Sequence, residues 1–263
     1  MRIVMLSSWV ASGHVGLSAG APMVQALGHE VVQLPTVMLS NHPGFPPVSG
    51  RAVDVAQLAG MAEALEANGW LVGVDALLTG YLPSAAHVEF AAALAARLRA
   101  RVVVDPVLGD VPKGLYVPGE VAEAIRDRLV PRADVLTPNL FELSWLTGMP
   151  VRTLAEVTAA ARALGREVLV TSAPSGPGRI GVLRVADRLS RWSAPMRAGV
   201  PQGTGDAFAA LIAAGLPVGA ALGHLAALVD TSLNTPHLRI AESARDWTAA
   251  PPIPEDAQPL DAS

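Results

Sequence analysis

Short runs of aliphatic and β-branched residues alternate with longer amphipathic stretches along most of this chain. Residues 2–8 and 167–173 have the length and apolar character of buried strands, whereas residues 55–67 and 84–100 show helical spacing. Apolar strands separated by helices are typical of a parallel sheet that helices cover on both faces. The pattern therefore predicts an α/β fold. After Ser172 it changes to turns and short strands, which we expect to pair antiparallel.

The bulk composition limits the partners and the chemistry that this chain can have. Its 263 residues, 51% of them hydrophobic and 16% charged, suit one large domain, which we place at residues 1–248. The Pro-rich end predicts a flexible tail over residues 249–263. A net charge of −4 without a basic run argues against nucleic acid and anionic membranes as partners. The absence of cysteine excludes disulfides and zinc–thiolate sites and fits a cytoplasmic protein.

One uncharged stretch, residues 207–229, has the length of a membrane span. Gly215 and Pro217 interrupt it, and Pro disrupts the helical hydrogen-bond pattern. We therefore expect two short helices packed in the core and no association with a membrane.

Several catalytic motifs fit this chain poorly. Lys113, the only lysine, precedes Gly114 and not Ser or Thr, so it cannot belong to a Walker A loop, and no surrounding site supports a Schiff base to pyridoxal phosphate. Residues 16–20, "GLSAG", match the G-x-S-x-G elbow of serine hydrolases, but no strand ends directly at Gly16. A hydrolase that uses Ser18 remains a second hypothesis. The six histidines lack the spacing of a catalytic zinc site.

The stretch "GTGDAFAA", residues 203–210, allows two interpretations. A glycine-rich turn opens an apolar helix, and the N–H groups of such a start attract anions. In the first interpretation Thr204 caps the helix and Asp206 only interacts favourably with its dipole. In the second, the amides of residues 203–206 form an anion hole and Asp206 accepts a proton from a hydroxyl, as phosphoryl transfer requires.

The segments "SSWVASGHVGLSA", "SNHPGF", "LLTGYL", "VVDPVLGD", "ADVLTPNLFELSWLTG" and "GTGDAFAA" occur in order between residues 7 and 210. Together they resemble the pyridoxal kinases of the ribokinase-like superfamily, and the similarity extends from about Met1 to Val229. GTGD is shared by the whole superfamily, whereas "SNHPGF" with "TGYL" is specific to the vitamin B6 branch. The resemblance implies a ribokinase-like three-layer α/β/α sandwich with a mostly parallel central sheet.

The same resemblance assigns expected roles to individual residues. Asp206 is expected to be the catalytic base on the 5′-hydroxymethyl group. The other expected roles are the anion hole for Gly203, Thr204 and Gly205; substrate binding for Ser8, Pro43 and Tyr81; nucleotide binding for Asp105, Asp110, Asn139, Glu142, Thr171 and Ser172; and Mg²⁺, largely through water, for Asp105 and Glu142.

The chain departs from the family at the end that holds the vitamin. Pro43 and Phe45 replace the usual Thr and Tyr, Leu17 replaces Asn, and Trp9 replaces a common His. We expect transfer of the γ-phosphate of ATP to pyridoxal, pyridoxine or pyridoxamine, with Mg²⁺, a monovalent cation such as K⁺, and a homodimer. The alternatives are a hydroxymethylpyrimidine kinase, the Ser18 hydrolase and a non-catalytic binder of vitamin B6.

Overall fold

The computed structural model describes residues 1–257. Its strands are β1 (Arg2–Val10), β2 (Glu30–Leu39), β3 (Gly50–Ala52), β4 (Ala76–Thr79), β5 (Arg101–Val104), β6 (Gly109–Asp110), β7 (Gly114–Leu115), β8 (Val135–Leu136), β9 (Glu167–Pro174), β10 (Arg179–Val185) and β11 (Leu189–Pro195). Its α-helices are α1 (Leu17–Ala26), α2 (Val55–Ala67), α3 (Ala85–Arg97), α4 (Gly119–Ala124), α5 (Leu140–Thr147), α6 (Leu154–Ala163), α7 (Thr204–Ala213), α8 (Val218–Ser232) and α9 (Ala244–Thr248). A π-helical turn at Ile125–Leu129 and a 3₁₀ turn at Val130–Arg132 follow α4.

Nine of the strands form one sheet in the order β11-β10-β9-β8-β5-β4-β1-β2-β3. The six strands from β9 to β2 are parallel, and β10, β11 and β3 pair antiparallel at the two edges. The α/β fold, the mostly parallel sheet and the antiparallel strands after Ser172 are therefore confirmed. In such a sheet the carboxyl ends of the parallel strands share one edge, where ligands bind.

Helices cover both faces of this sheet because successive strand residues point to opposite sides. On one face Val4, Leu77 and Val104 pack with α2 to α6, and on the other Met5 and Leu78 pack with α1 and α7. Helices α1 and α7 approach closely at Gly20, where an added Cβ would lie 2.8 Å from the Met5 Cε and 3.0 Å from the Ala210 Cβ. This close packing fixes the start of α7 beside β1.

The predicted helix boundaries agree well where capping residues mark them. Ser84 caps α3 and accepts the backbone N–H of His87, in agreement with the helical spacing that begins at residue 84. The apolar stretch at 207–229 consists of two helices, α7 and α8, joined at Gly215, whose φ is +76°. Within residues 1–257 no helix is both long and apolar enough to cross a bilayer.

Two residues of the predicted tail, Ile253 and Asp256, make hydrogen bonds to the rest of the fold. The backbone N–H of Ile253 donates to the Gly219 carbonyl, and that of Asp256 donates to the Arg191 carbonyl. The Asp256 carboxylate also pairs with the Arg191 guanidinium at 2.7 Å. The composition of this segment does not predict these contacts, because the partners lie on β11 and α8, far away in the sequence. Residues 258–263 of the predicted tail lie outside the described residues.

Candidate active site

The carboxyl ends of β1, β4 and β5 enclose a small cavity of about 10 Å³. Its walls include Ser7, Gly16, Gly80, Asp105 and Asp206. This volume suits about one water molecule, so a larger substrate must bind over the cavity and not inside it. The two carboxylates thus lie at the bottom of the place where a substrate would bind.

The first turn of α7 presents Asp206 to this cavity. Gly203 is the N-cap residue, with φ +99°, and no side chain caps the helix. An added Cβ at Gly203 would lie 1.9 Å from the His14 carbonyl oxygen, so only glycine fits there. The proposed cap role for Thr204 is wrong, because Thr204 is already the first helical residue. No side-chain cap takes up the N–H groups of Gly203, Thr204 and Gly205, so these three groups can bind an anion.

The carboxyl group of Asp206 holds its proton unusually well. Burial raises the pKa of Asp206 to about 6, although hydrogen bonds from the backbone N–H groups of Gly16 and of Asp206 itself oppose the change. A pKa near 6 leaves the group ionised at neutral pH but still a useful proton acceptor. Such a shift in a cleft is typical of functional carboxylates.

Asp105 follows β5 and faces Asp206 across the cavity. Burial raises the pKa of Asp105 well above its usual range, and the carboxylates of Glu142 and Asp206 raise it further. The Thr137 hydroxyl opposes this by donating a hydrogen bond of 3.0 Å to Asp105 Oδ1. Carboxylates that repel one another in this way favour a bound cation.

Glu142 connects the start of α5 to the loop after β5. It is 4% exposed, and its two carboxylate oxygens accept the backbone N–H groups of Leu108 at 2.8 Å and Asn139 at 2.9 Å. Asn139 in turn caps α5 by accepting the Glu142 N–H, so the pair forms a reciprocal capping box. Burial raises the pKa of Glu142 to about 7, because it outweighs these backbone hydrogen bonds.

The hairpin of β6 and β7 extends from this network. The Asn139 side chain donates to the Gly109 carbonyl at 2.9 Å, and Asp110 comes next on β6. Asp110 acts electrostatically on Glu142 and raises its pKa, and its Oδ1 is buried without a hydrogen-bond partner. The structure thus brings four of the predicted residues into one network: Asp105, Asp110, Asn139 and Glu142.

Other predicted residues lie around this centre. Ser8 lies inside β1, at a point where the pairing with β2 shifts register, and its Oγ packs against Gly16. Tyr81 is half-buried beside the cavity, and its backbone N–H donates to Ser7 Oγ at 3.1 Å. Thr171 and Ser172 lie on β9, beside Pro138, whose carbonyl accepts the Thr171 N–H. None of these four residues lines the small cavity.

Pro43 lies in an exposed turn at residues 40–46. The Asn41 side chain donates to the Phe45 carbonyl, and the His42 Nδ1 accepts the Gly44 N–H at 3.0 Å. The Phe45 ring packs edge-on against His237, with 5.6 Å between the ring centres. The turn is therefore held by contacts of its own, and Pro43 is not among the residues that line the cavity.

Ser7 is a site residue that sequence reasoning missed. It is buried, it lines the cavity, and an added Cβ at Gly80 would lie 2.4 Å from its Oγ. Ser7 and Ser8 are adjacent in the sequence, and neighbouring residues of a strand point to opposite faces of the sheet. Only one of the two hydroxyls therefore faces the cavity. The bulge in β1 interrupts this alternation, so the sequence does not show which serine it is.

Ser18, the hypothetical hydrolase nucleophile, has a structural role. Its hydroxyl donates to the Val10 carbonyl at 2.8 Å and accepts the Val10 N–H at 3.1 Å. His224, a possible triad partner, instead pairs through Nδ1 with the Trp247 carbonyl at 2.7 Å. The structure therefore gives the hydrolase hypothesis no nucleophile activated by a histidine.

Comparisons with known proteins find relatives over most of the chain. A sequence model of the phosphomethylpyrimidine kinase family matches residues 24–227. A pyridoxine/pyridoxal/pyridoxamine kinase from Bordetella avium is 40% identical over 233 residues, which cover 84% of this chain and 79% of the relative. A pyridoxal kinase from Granulibacter bethesdensis is 37% identical over 237 residues, covering 80% of each chain.

Solved structures show the same architecture over nearly the whole chain. The pyridoxal kinase of Entamoeba histolytica superposes with a TM-score of 0.89 at 26% identity, covering 97% of this chain and 98% of its own. The pyridoxal kinase of Leishmania donovani in complex with ADP and pyridoxamine superposes with a TM-score of 0.87 at 31% identity, covering 96% and 97%. The three-layer fold expected from the sequence is thereby confirmed.

Proposed function

This chain belongs to the pyridoxal kinase family of the ribokinase-like superfamily, and we propose that it transfers the γ-phosphate of ATP to the 5′-hydroxyl of a vitamin B6 vitamer. The observation that carries the proposal is the position of Asp206. Its carboxylate, with a pKa raised to about 6, lies in the first turn of α7, next to N–H groups that can hold a phosphate. A proton acceptor and an anion site meet at one helix start.

In the proposed reaction, the 5′-hydroxyl oxygen of the vitamer attacks the γ-phosphorus of ATP. The bond between that phosphorus and the β,γ-bridging oxygen breaks, ADP leaves, and the hydroxyl proton passes to Asp206. The amides of Gly203, Thr204 and Gly205 stabilise the charge on the transferring phosphoryl group. Phosphoryl transfer depends on this kind of positioning and electrostatic stabilisation more than on covalent catalysis.

Asp105 and Glu142 are the residues that we propose for Mg²⁺, which would neutralise charge on the phosphates when bound. The donor set fits such an ion, because carboxylates with raised pKa values surround the site and Asp110 Oδ1 lacks a partner. Both Glu142 oxygens already accept backbone N–H groups, so we propose that Glu142 acts on the ion through water. Within residues 1–257 no group of three or more His, Cys, Asp or Glu side chains is placed to hold a metal ion by itself.

The remaining assignments are proposals that rest on the family. Asn139, Thr171 and Ser172 would contact the nucleotide, and Ser8, Tyr81 and the turn with Pro43 would contact the vitamer. ADP occupies the Leishmania structures with pyridoxamine and with pyridoxine, which supports ATP as the phosphate donor here. A K⁺ requirement, a homodimer and a cytoplasmic location are further parts of this proposal.

An ATP-consumption assay with pyridoxal, pyridoxine, pyridoxamine and hydroxymethylpyrimidine tests the proposal. We expect phosphorylation of at least one B6 vitamer at a higher kcat/KM than that of hydroxymethylpyrimidine. Because the chain also matches the phosphomethylpyrimidine kinase family, the related alcohol hydroxymethylpyrimidine is the second candidate substrate. A higher kcat/KM for hydroxymethylpyrimidine would make it the substrate in place of a vitamer. Binding of vitamers without ATP turnover would show a non-catalytic binder of vitamin B6.

A further inference from the structure

Lys113 lies at the tip of the hairpin formed by β6 and β7, beside the acidic network. It is the only lysine in the sequence. Its Nζ lies 3.9 Å from Asp110 Oδ2 and 5.7 Å from the centre of the Tyr116 ring, and its side chain is 59% exposed. An exposed ion pair at this distance contributes little energy, so Lys113 is free to exchange Asp110 for a stronger anion.

The base of the hairpin is fixed to the active site. The Leu108 N–H donates to Glu142, the Asn139 side chain donates to the Gly109 carbonyl, and the Tyr116 N–H donates to the Leu108 carbonyl at 2.7 Å. An added Cβ at Gly109 would lie 2.1 Å from the Gly114 carbonyl oxygen. The tip that carries Lys113 is therefore held at a set position relative to Glu142 and Asp105.

The site has an excess of negative charge for a protein that binds a polyphosphate. Besides burial, the carboxylates of Glu142 and Asp206 raise the pKa of Asp105, and the carboxylate of Asp110 raises that of Glu142. A triphosphate brings further negative charge, which one Mg²⁺ does not neutralise. Burial lowers the pKa of His42 in the turn at residues 40–46, and the positive charge of Lys113 lowers it further.

From this placement we propose that Lys113 binds the γ-phosphate of the nucleotide and neutralises charge on it. The inference rests on the proposed kinase function and adds to it a cation that the described acidic network lacks. A lysine ammonium is a point charge on a flexible stem, so it can follow the phosphate from ATP to product without a fixed geometry. Asp110 acts as its resting partner when no nucleotide is bound.

The test compares binding of ADP with binding of the β,γ-imido analogue of ATP, because the two differ by the γ-phosphate. We expect Lys113→Met to weaken binding of the analogue by roughly 10- to 100-fold, as the loss of a charged hydrogen bond does, and to leave ADP nearly unchanged. Lys113→Arg should restore most of the affinity. Arg99→Met is the matched control, because it removes one exposed positive charge between α3 and β5, at the opposite edge of the sheet.

Chemical labelling gives a second measurement that needs no variant. Because the chain has one lysine, an amine-directed acylating reagent modifies only Lys113 and the terminal amine, which serves as internal reference. We expect the analogue with Mg²⁺ to protect Lys113, and adenosine not to do so.

The inference would be overturned if Lys113→Met weakened binding of ADP and of the analogue equally, or if saturating analogue left Lys113 fully labelled. Neither result would affect the proposed function, provided that the wild type phosphorylates a vitamer. Absence of turnover with every vitamer would instead refute the proposed function.

Discussion

Replacing Asp206 with asparagine should make the ligand-free protein more stable, because a buried carboxylate is held there for function at a cost in stability. The pKa of Asp206 rises from an ordinary 3.8 to about 6 in the folded chain. Each tenfold change in proton affinity corresponds to about 1.4 kcal/mol. The ionised carboxylate therefore costs on the order of 3 kcal/mol of folding free energy, as an upper bound.

The pH dependence of this cost has a definite sign. Between pH 3.8 and about 6 the folded chain binds the proton more tightly than the unfolded chain, so its stability falls as the pH rises through this window. Above about pH 6 the full cost is present, and at pH 5 about half of it remains. Asparagine is neutral at every pH and carries no such cost.

Urea denaturation of both proteins at pH 8 and pH 5 measures this effect. We expect Asp206→Asn to be more stable by about 1–3 kcal/mol at pH 8, and the difference to shrink by about half at pH 5. Asp187→Asn is the matched control, since Asp187 is exposed in the turn between β10 and β11. A variant no more stable than the wild type at pH 8, or an identical gap at both pH values, would refute the reasoning.

Three further substitutions probe the parts around Asp206. Pro43→Thr should lower KM for pyridoxal severalfold with little change in kcat, since a hydrogen bond to substrate contributes about 0.5–1.5 kcal/mol; a raised KM in steady-state assays would contradict this. Glu142→Ala should lower the free energy of unfolding, measured by urea denaturation, by about 2–5 kcal/mol, because it leaves two backbone N–H groups without an acceptor. A decrease of less than about 1 kcal/mol would contradict this prediction. Gly203→Ala places a Cβ 1.9 Å from the His14 carbonyl oxygen, so it should lower both kcat and the free energy of unfolding. A wild-type value of kcat or of the free energy of unfolding would argue against an anion hole that depends on Gly203.

The sequence predicted the part of this fold that depends on local patterns. The spacing of apolar residues predicted the parallel sheet, and the helical spacing from residue 84 agrees with α3, which Ser84 caps. The flexible tail at residues 249–263 stays a prediction, and the sequence did not reveal that Ile253 and Asp256 contact Gly219 and Arg191, because these partners are distant in sequence. Composition describes a segment but not the surface on which it packs.

The candidate site divides in the same way. Asp105, Asn139 and Glu142 were expected at the site from the family resemblance, and the structure brings them into one network. Ser7 was missed because the bulge in β1 decides which serine faces the cavity. The sequence also did not predict the two hydrogen bonds that Glu142 accepts from backbone N–H groups, because they depend on how the loop after β5 folds back onto α5.

The central claim, that Asp206 is the base of a phosphoryl transfer to a B6 vitamer, is tested most directly by rapid-quench single-turnover assays with ATP, Mg²⁺ and pyridoxal. Asp206→Asn keeps the size and shape of the side chain but cannot accept the hydroxyl proton. We predict a loss of roughly 10²- to 10⁴-fold in the rate of transfer, with affinity for ATP retained or improved because a negative charge beside the γ-phosphate is gone. A variant that transfers the phosphate at the wild-type rate would leave Asp206 as a helix-start residue and the proposed reaction without its base.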